Sequence, residues 1–253
     1  MSAQPKWTPG QFVWRELGVK DVDKAKGYYN ELFGWTYKDA PMGPDFVYTL
    51  VLAGEKQIGG LYKPSADMPA LPTSWFSYLS VPDVDKTASD IKAAGGQVLG
   101  EPMDIPNIGR FVMAKDPQGA LFTPFRSLNG DPEPVEHPPL STFCWETLST
   151  SSLEGAKKFY EQVVGWTPGA GPSDEVVFNA GQVPIADVQI APRGAPSAWM
   201  PHVVVEKLEA ARDKAKRLGA QILAPEVPVP GMGRLAVVQD PFGAALGLFE
   251  GSM

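Results

Sequence analysis

The chain has 253 residues, 43% of them hydrophobic and 20% charged, with a formal net charge of -7. This is a globular composition, which excludes wholesale disorder. The negative charge argues against nucleic-acid and anionic-membrane partners, and no run of about 18 apolar residues marks a membrane-spanning helix. The single cysteine, Cys144, permits no internal disulfide, and MSAQPKWTPGQF lacks the features of a secretory leader. A cytoplasmic location is therefore expected.

Taken in chain order, FVWRELGV (12–19) reads as a strand. Asp21 is placed to cap a helix whose Val22, Ala25, Tyr28, Tyr29, Leu32 and Phe33 share one face, and Gly34 is placed to stop it. Strands are expected over 46–53 and 56–62, with a further candidate between Trp35 and Asp39. WFSYLSV (75–81) opens the same pattern again, with a helix from Pro82-Asp83 to Gly95-Gly96. GQVLGEP, GRFVMAKD and GALFTPFR then read as three strands, the last two joined by a hairpin turn at Asp116-Pro117-Gln118-Gly119.

The chain then repeats itself. WRELGVKDVDKAKGYYNELFGW (14–35) returns as WETLSTSSLEGAKKFYEQVVGW (145–166), at an offset of 131 residues. From Trp75 and Trp199 to Ala120 and Ala244 the match runs without a gap at an offset of 124 residues, pairing Gly109-Arg110 with Gly233-Arg234 and Asp116-Pro117 with Asp240-Pro241. A fixed offset of this kind marks a duplicated architecture. Domains are expected at 1–127 and 140–253, joined by the Pro-rich acidic linker LNGDPEPVEHPP (128–139). The unit is β-α-β-β-β, four times over.

An opening strand, the segment VKDVDKAKGYYNELFGW and a late strand–DPQG–strand hairpin resemble the glyoxalase/bleomycin-resistance/extradiol-dioxygenase superfamily, also called vicinal oxygen chelate. The duplicated length and Trp-rich openings are most similar to bacterial two-domain glyoxalase-like proteins of the mycobacterial antigen type. The resemblance implies an α+β fold: tandem domains in which four β-α-β-β-β modules form two curled mixed-sheet cups with helices outside. It also implies, in metal-using members, a divalent ion held by His or Gln on a module's first strand and Glu on its last. Those positions fall on Trp14, Phe76 and Thr123 in the first half, and on Trp145, Met200 and Gly247 in the second. For the strands at 56–62 and 183–189 the register is open among Ile58, Gly60 and Tyr62, and among Ile185, Asp187 and Gln189. The securely placed residues offer no charged or imidazole donor, so no metal and no other cofactor is expected.

Strand alternation carried from these positions gives the expected lining. Trp14 brings Phe12 and Glu16; Phe76 brings Tyr78 and Ser80; Trp145 brings Phe143, Thr147 and Ser149; Met200 brings His202. Ligand-binding candidates are thus Trp14, Glu16, Phe76, Tyr78, Thr123, Trp145, Thr147, Met200 and His202, with Glu16 and His202 the acid–base candidates. The aromatic cups suit a small aromatic or apolar ligand, with Glu16 favouring the first cup. Filling of the cups by their own side chains is the competing reading for Trp14 and Trp145. Arg110, Arg234, Asp116 and Asp240 read as hairpin braces and turn residues, His137 as a solvated linker residue and Cys144 as a buried, inert thiol. Arg15 and Glu146, at equivalent positions, break the alternation and find no place in this reading. The expected function is metal-free binding of a small molecule by a monomer whose two halves form an internal pseudo-dimer. A lyase, isomerase or hydroxylase-like enzyme using Glu16 or His202 is the first alternative, and an interaction protein with vestigial cups the second.

Overall fold

Four modules follow one another along the computed structural model, which describes residues 6–43, 46–65, 71–171 and 175–252. The first holds β1 (Phe12–Gly18), α1 (Val22–Phe33), β2 (Thr36–Pro41), β3 (Val47–Ala53) and β4 (Lys56–Tyr62). The second holds β5 (Trp75–Ser80), α2 (Val84–Ala93), β6 (Gln97–Val98), β7 (Met103–Ile105), β8 (Gly109–Phe111), β9 (Ala114–Lys115) and β10 (Leu121–Ser127). The third is β11 (Phe143–Thr150), α3 (Leu153–Val164), β12 (Thr167–Ala170), β13 (Val176–Ala180) and β14 (Val183–Ile190). The fourth is β15 (Ala198–Val204), α4 (Leu208–Arg217), β16 (Gln221–Val229), β17 (Gly233–Gln239) and β18 (Ala245–Gly251). The strands form two mixed sheets, one curled as a half-barrel. Among the described residues no helix is long and apolar enough to cross a membrane.

The helix boundaries follow from the residues that mark them. Asp21, Asp83 and Ser152 each accept a hydrogen bond from the backbone N–H three residues on, at 3.1, 3.0 and 3.1 Å. Gly34 and Gly165 end α1 and α3 with φ of 75° and 74°, the left-handed conformation that glycine reaches without a Cβ penalty. Helix α4 has no such cap of its own. Glu250 on β18 supplies one instead, accepting from the Leu208 N–H at 2.7 Å. That bond and the Arg234 guanidinium hold the Glu250 carboxyl below its usual range.

The residues gather into two compact units. The first comprises Met1–Trp14, Phe76–Val135 and Glu146–Trp199; the second comprises Arg15–Trp75, Glu136–Trp145 and Met200–Met253. In the first unit, strands run in the order β5-β10-β8-β7 and β12-β13-β14-β11. In the second they run β2-β3-β4-β1 and β15-β18-β17-β16. The parallel pairings β10/β5 and β11/β14 in the first unit, and β1/β4 and β15/β18 in the second, are the crossovers that place a helix over one face.

Each core is built around tryptophan. In the first unit Tyr160 stacks on Trp166 at 5.0 Å, with Phe122, Phe159, Phe178 and Trp199 around them. In the second, Tyr29 stacks on Trp35 at 5.2 Å beside Phe33 and Trp75. The buried polar atoms form matching relays. Trp199 Nε1 donates to Tyr160 Oη at 2.8 Å, which donates to Asp116 Oδ2 at 3.2 Å. Trp75 Nε1 donates to Tyr29 Oη at 2.9 Å, which donates to Asp240 Oδ2 at 2.6 Å. The other oxygen of each Asp holds its own turn, accepting from the backbone of Gln118 and Ala120, or of Phe242 and Ala244. The Asp residues are therefore turn formers, as their sequence context indicates, and also core acceptors.

Several expectations need correction. Phe12 and Phe143 do not extend the surfaces assigned to Trp14 and Trp145. Phe12 packs on Trp166 and Trp199 at 5.7 and 5.2 Å, and Phe143 packs on Trp35 and Trp75 at 5.6 and 5.3 Å. Each stands at or near the start of its strand, where core burial of a large ring outweighs alternation. GRFVMAKD is two short strands, β8 and β9, and GQVLGEP yields only β6. Cys144 is half-buried, its thiol 3.5 Å from the His202 carbonyl oxygen. Glu146 is fully buried, and Arg15 lies over the Phe143 ring at 5.5 Å. The braces behave as expected: Arg110 binds Asp85 of α2 and Asp104 of β7, while Arg234 binds Glu209 and Glu250.

Candidate functional site

Glu16 lies in the second unit, on the stretch of β1 that pairs in register with β4, so that it faces Gly60. This settles the open register at 56–62. Glu16 is 9% exposed, and Tyr48 on β3 donates its phenolic hydrogen to Oε2 at 3.1 Å. Gly60 makes that geometry possible, because a Cβ there would collide with the Tyr48 hydroxyl and ring. Burial, with the Glu16 charge nearby, pushes the Tyr62 phenol well above its ordinary value. The result is a carboxylate held by a tyrosine on a strand wall. Gly60→Ala is expected to displace Tyr48 from Glu16 and to destabilise the protein by about 1–3 kcal/mol, the usual cost of overpacking. Chemical denaturation checks this, and an unchanged midpoint would contradict it.

In the first unit, β5 and β10 pair in parallel with Thr123 opposite Tyr78, and β10 pairs with β8 with Phe125 opposite Phe111. The Tyr78 ring meets Phe125 edge-on at 5.6 Å and lies 6.0 Å from Phe111. Phe122, which precedes Thr123 on β10, points the other way, onto Phe159 and Tyr160. Thr123 and Phe125 therefore face away from the helices, on the same face as Phe76 and Tyr78. Phe76, Tyr78 and Thr123 are buried, at 3%, 5% and 1% exposure. The structure thus brings three of the expected residues together on an aromatic surface and adds Phe111 and Phe125. Alternation from Thr123, the position the resemblance marks, also reaches Phe125, two residues on; Phe111 needs the hairpin register.

Thr147 also lies in this unit. It pairs in register with Asp187 and donates its hydroxyl hydrogen to Asp187 Oδ1 at 2.6 Å, which settles the register at 183–189. In the second unit His202 pairs with Gly247, is 2% exposed, and has its imidazole over the glycine, where a Cβ would strike the ring. Burial pushes its pKa down to about 4, so it is neutral through physiological pH and a weak base. The sequence leaves its unperturbed value as a reason to consider it a base near neutrality; the burial removes that reason. Trp14, Trp145 and Met200 are half-buried, and His137 is exposed.

In metal-using members the resemblance implies a divalent ion at these positions. Thr123 stands among phenyl and phenol rings. At 247 there is no side chain, and the space a carboxylate would use holds the His202 ring. Among the described residues no three His, Cys, Asp or Glu side chains are grouped so as to hold a metal ion. The residues present do not fit the superfamily ion.

The sequence profile of the Glyoxalase/Bleomycin resistance protein/Dioxygenase superfamily matches residues 11–123. "Putative glyoxylase CFP32" of Mycobacterium tuberculosis (strain CDC 1551 / Oshkosh) is 30% identical over 257 residues, covering 99% of this chain and 98% of that protein. "Anthracycline biosynthesis protein DnrV" of Streptomyces peucetius is 28% identical over 264 residues, covering 97% and 94%. Among solved structures, the 2,3-dioxygenase LapB from Pseudomonas sp. KL28 superposes with a TM-score of 0.63 at 13% identity, covering 99% and 94%. The Mn(II)-bound glyoxalase from Novosphingobium aromaticivorans does so with a TM-score of 0.59 at 16% identity, covering 97% and 82%. At these identities the structural likenesses speak for the fold alone.

Proposed function

The chain belongs to the glyoxalase/bleomycin resistance protein/dioxygenase superfamily, and from that premise we propose that it binds a small planar aromatic molecule without a divalent metal. The observation that carries this reading is the aromatic surface of Phe76, Tyr78, Phe111 and Phe125 in the first unit, where the family's metal chemistry calls for a carboxylate. Offset and edge-on ring contacts of this kind favour a flat aromatic partner. The donor set supports metal independence, because the position on β10 offers only a neutral hydroxyl. The similarity to DnrV, whose name refers to anthracycline biosynthesis, supports a polycyclic aromatic ligand class.

A second reading rests on Glu16. A mostly buried carboxylate held by Tyr48 is a fitting general acid or base, and in this reading the second unit turns over a small molecule of its own.

Isothermal titration with 1-naphthol, with and without a chelator, tests the first reading. Saturable binding that the chelator leaves unchanged is the expected result. Absence of saturation, or loss of binding on chelation, would sink it. Turnover of a small molecule that stops in Glu16→Gln would favour the second reading.

A further inference from the structure

Thr123 is 1% exposed, and its hydroxyl oxygen is buried with no hydrogen-bond partner. A buried hydroxyl without a partner is a cost that folding does not recover. A valine would fill the same space without that cost, so the hydroxyl calls for an explanation. The neighbours of Thr123 on this face are aromatic: Tyr78 opposite it in register, Phe125 two residues along the strand, and Phe111 opposite Phe125. The hydroxyl thus stands among rings, on a surface suited to flat molecules.

We infer that Thr123 is the specificity-determining residue of this surface, and that it selects a planar aromatic carrying a hydroxyl or carbonyl oxygen on the ring. This deepens the proposed binding function and rests on it. A threonine hydroxyl both donates and accepts, so a phenol and a quinone-type carbonyl both satisfy it, and a plain hydrocarbon does not. Because the oxygen is covered, a ligand ring reaches it by replacing a side chain now packed over it.

The test compares 1-naphthol with 1-methylnaphthalene, which has nearly the same shape and no oxygen, on the wild-type chain and on Thr123→Val by isothermal titration. The wild type is expected to prefer 1-naphthol by about tenfold, the yield of one neutral hydrogen bond. Thr123→Val should bring that preference close to one, chiefly by weakening 1-naphthol. The variant should also unfold at the same temperature as the wild type or higher, because the hydroxyl serves no contact within the fold. A preference retained in Thr123→Val overturns the assignment while leaving the binding function standing. So does a clear loss of thermal stability, which would give the hydroxyl a structural role. Failure of both compounds to bind the wild type overturns the binding function and this inference with it.

Discussion

Asp116→Ala is expected to destabilise the protein by about 3 kcal/mol, the scale of losing a buried acceptor that serves several donors at once. Asp116 Oδ1 accepts from the backbone N–H of Gln118 and of Ala120, at 2.9 and 2.8 Å, and Oδ2 accepts from Tyr160. Alanine leaves all three donors without that acceptor in a core where water does not reach Ala120 or the phenol. The full sum of three lost bonds is not expected. Burial raises the Asp116 carboxyl above its ordinary value, so its ionised form is itself a cost that the alanine removes. Tyr160→Phe should cost about 1–3 kcal/mol, because Trp199 Nε1 loses its acceptor and Asp116 Oδ2 a donor. The relay makes the two changes overlap. In a double-mutant cycle, Asp116→Ala with Tyr160→Phe should cost at least about 1 kcal/mol less than the two singles together. Urea denaturation at neutral pH measures all three. Additive effects, or a loss under about 1 kcal/mol for Asp116→Ala, would show that the relay carries little energy. The duplication extends the prediction to Asp240 and Tyr29 in the second unit.

The relay also shows what the sequence reveals and what it withholds. Tyr29 and Tyr160, Trp75 and Trp199, and Asp116 and Asp240 all fall on the two repeat offsets, so the chain marks each as retained between its halves. Nothing in either offset says that the three residue types meet. Asp116 satisfies a local rule with one oxygen, and its second oxygen is satisfied from another module. Helix boundaries were legible at Asp21, Asp83 and Gly34 because these residues act within three or four residues of themselves. The cap of α4 was not, because Glu250 reaches it from the end of the chain.

The broken strand in the second module has a comparably specific cause. Val112 N–H donates to the Pro124 carbonyl at 3.0 Å, but proline has no N–H to return the bond, and the ladder lapses between β8 and β9. The repeat partner of Pro124 is Leu248, which pairs with Ala236, and there β17 runs unbroken. The candidate site divides along the same line. The resemblance places Phe76 and Thr123, and alternation adds Tyr78, each from positions along its own strand. Phe111 and Tyr48 enter only through strand pairing, which depends on loop lengths that the sequence alone does not fix.

His202 is expected to make the protein acid-labile well above the carboxylate range. In the folded chain, burial holds its pKa at about 4, against roughly 6.5 for an unfolded histidine. Between those values the unfolded chain binds a proton that the folded chain refuses, so stability is full above about pH 6.5 and is lost as pH falls toward 4. By pH 4.5 the loss from this one group is about 2 kcal/mol. Asp116 and Asp240 act in the opposite sense. Their carboxyls are raised by burial, so ionisation disfavours the fold, and stability is regained as pH falls through their folded values toward the ordinary 3.8. The net profile of the wild type therefore mixes both signs, and the histidine is isolated by difference. His202→Gln keeps a polar side chain over Gly247 and removes the titration. Its stability at pH 7 can lie above or below that of the wild type, because only the slope carries the prediction. Between pH 7 and pH 4.5 the wild type should lose about 2 kcal/mol more than His202→Gln in urea denaturation. Parallel curves for the two proteins would mean that the imidazole is protonated as easily in the fold as out of it, and that its burial beside Gly247 does not shape its chemistry.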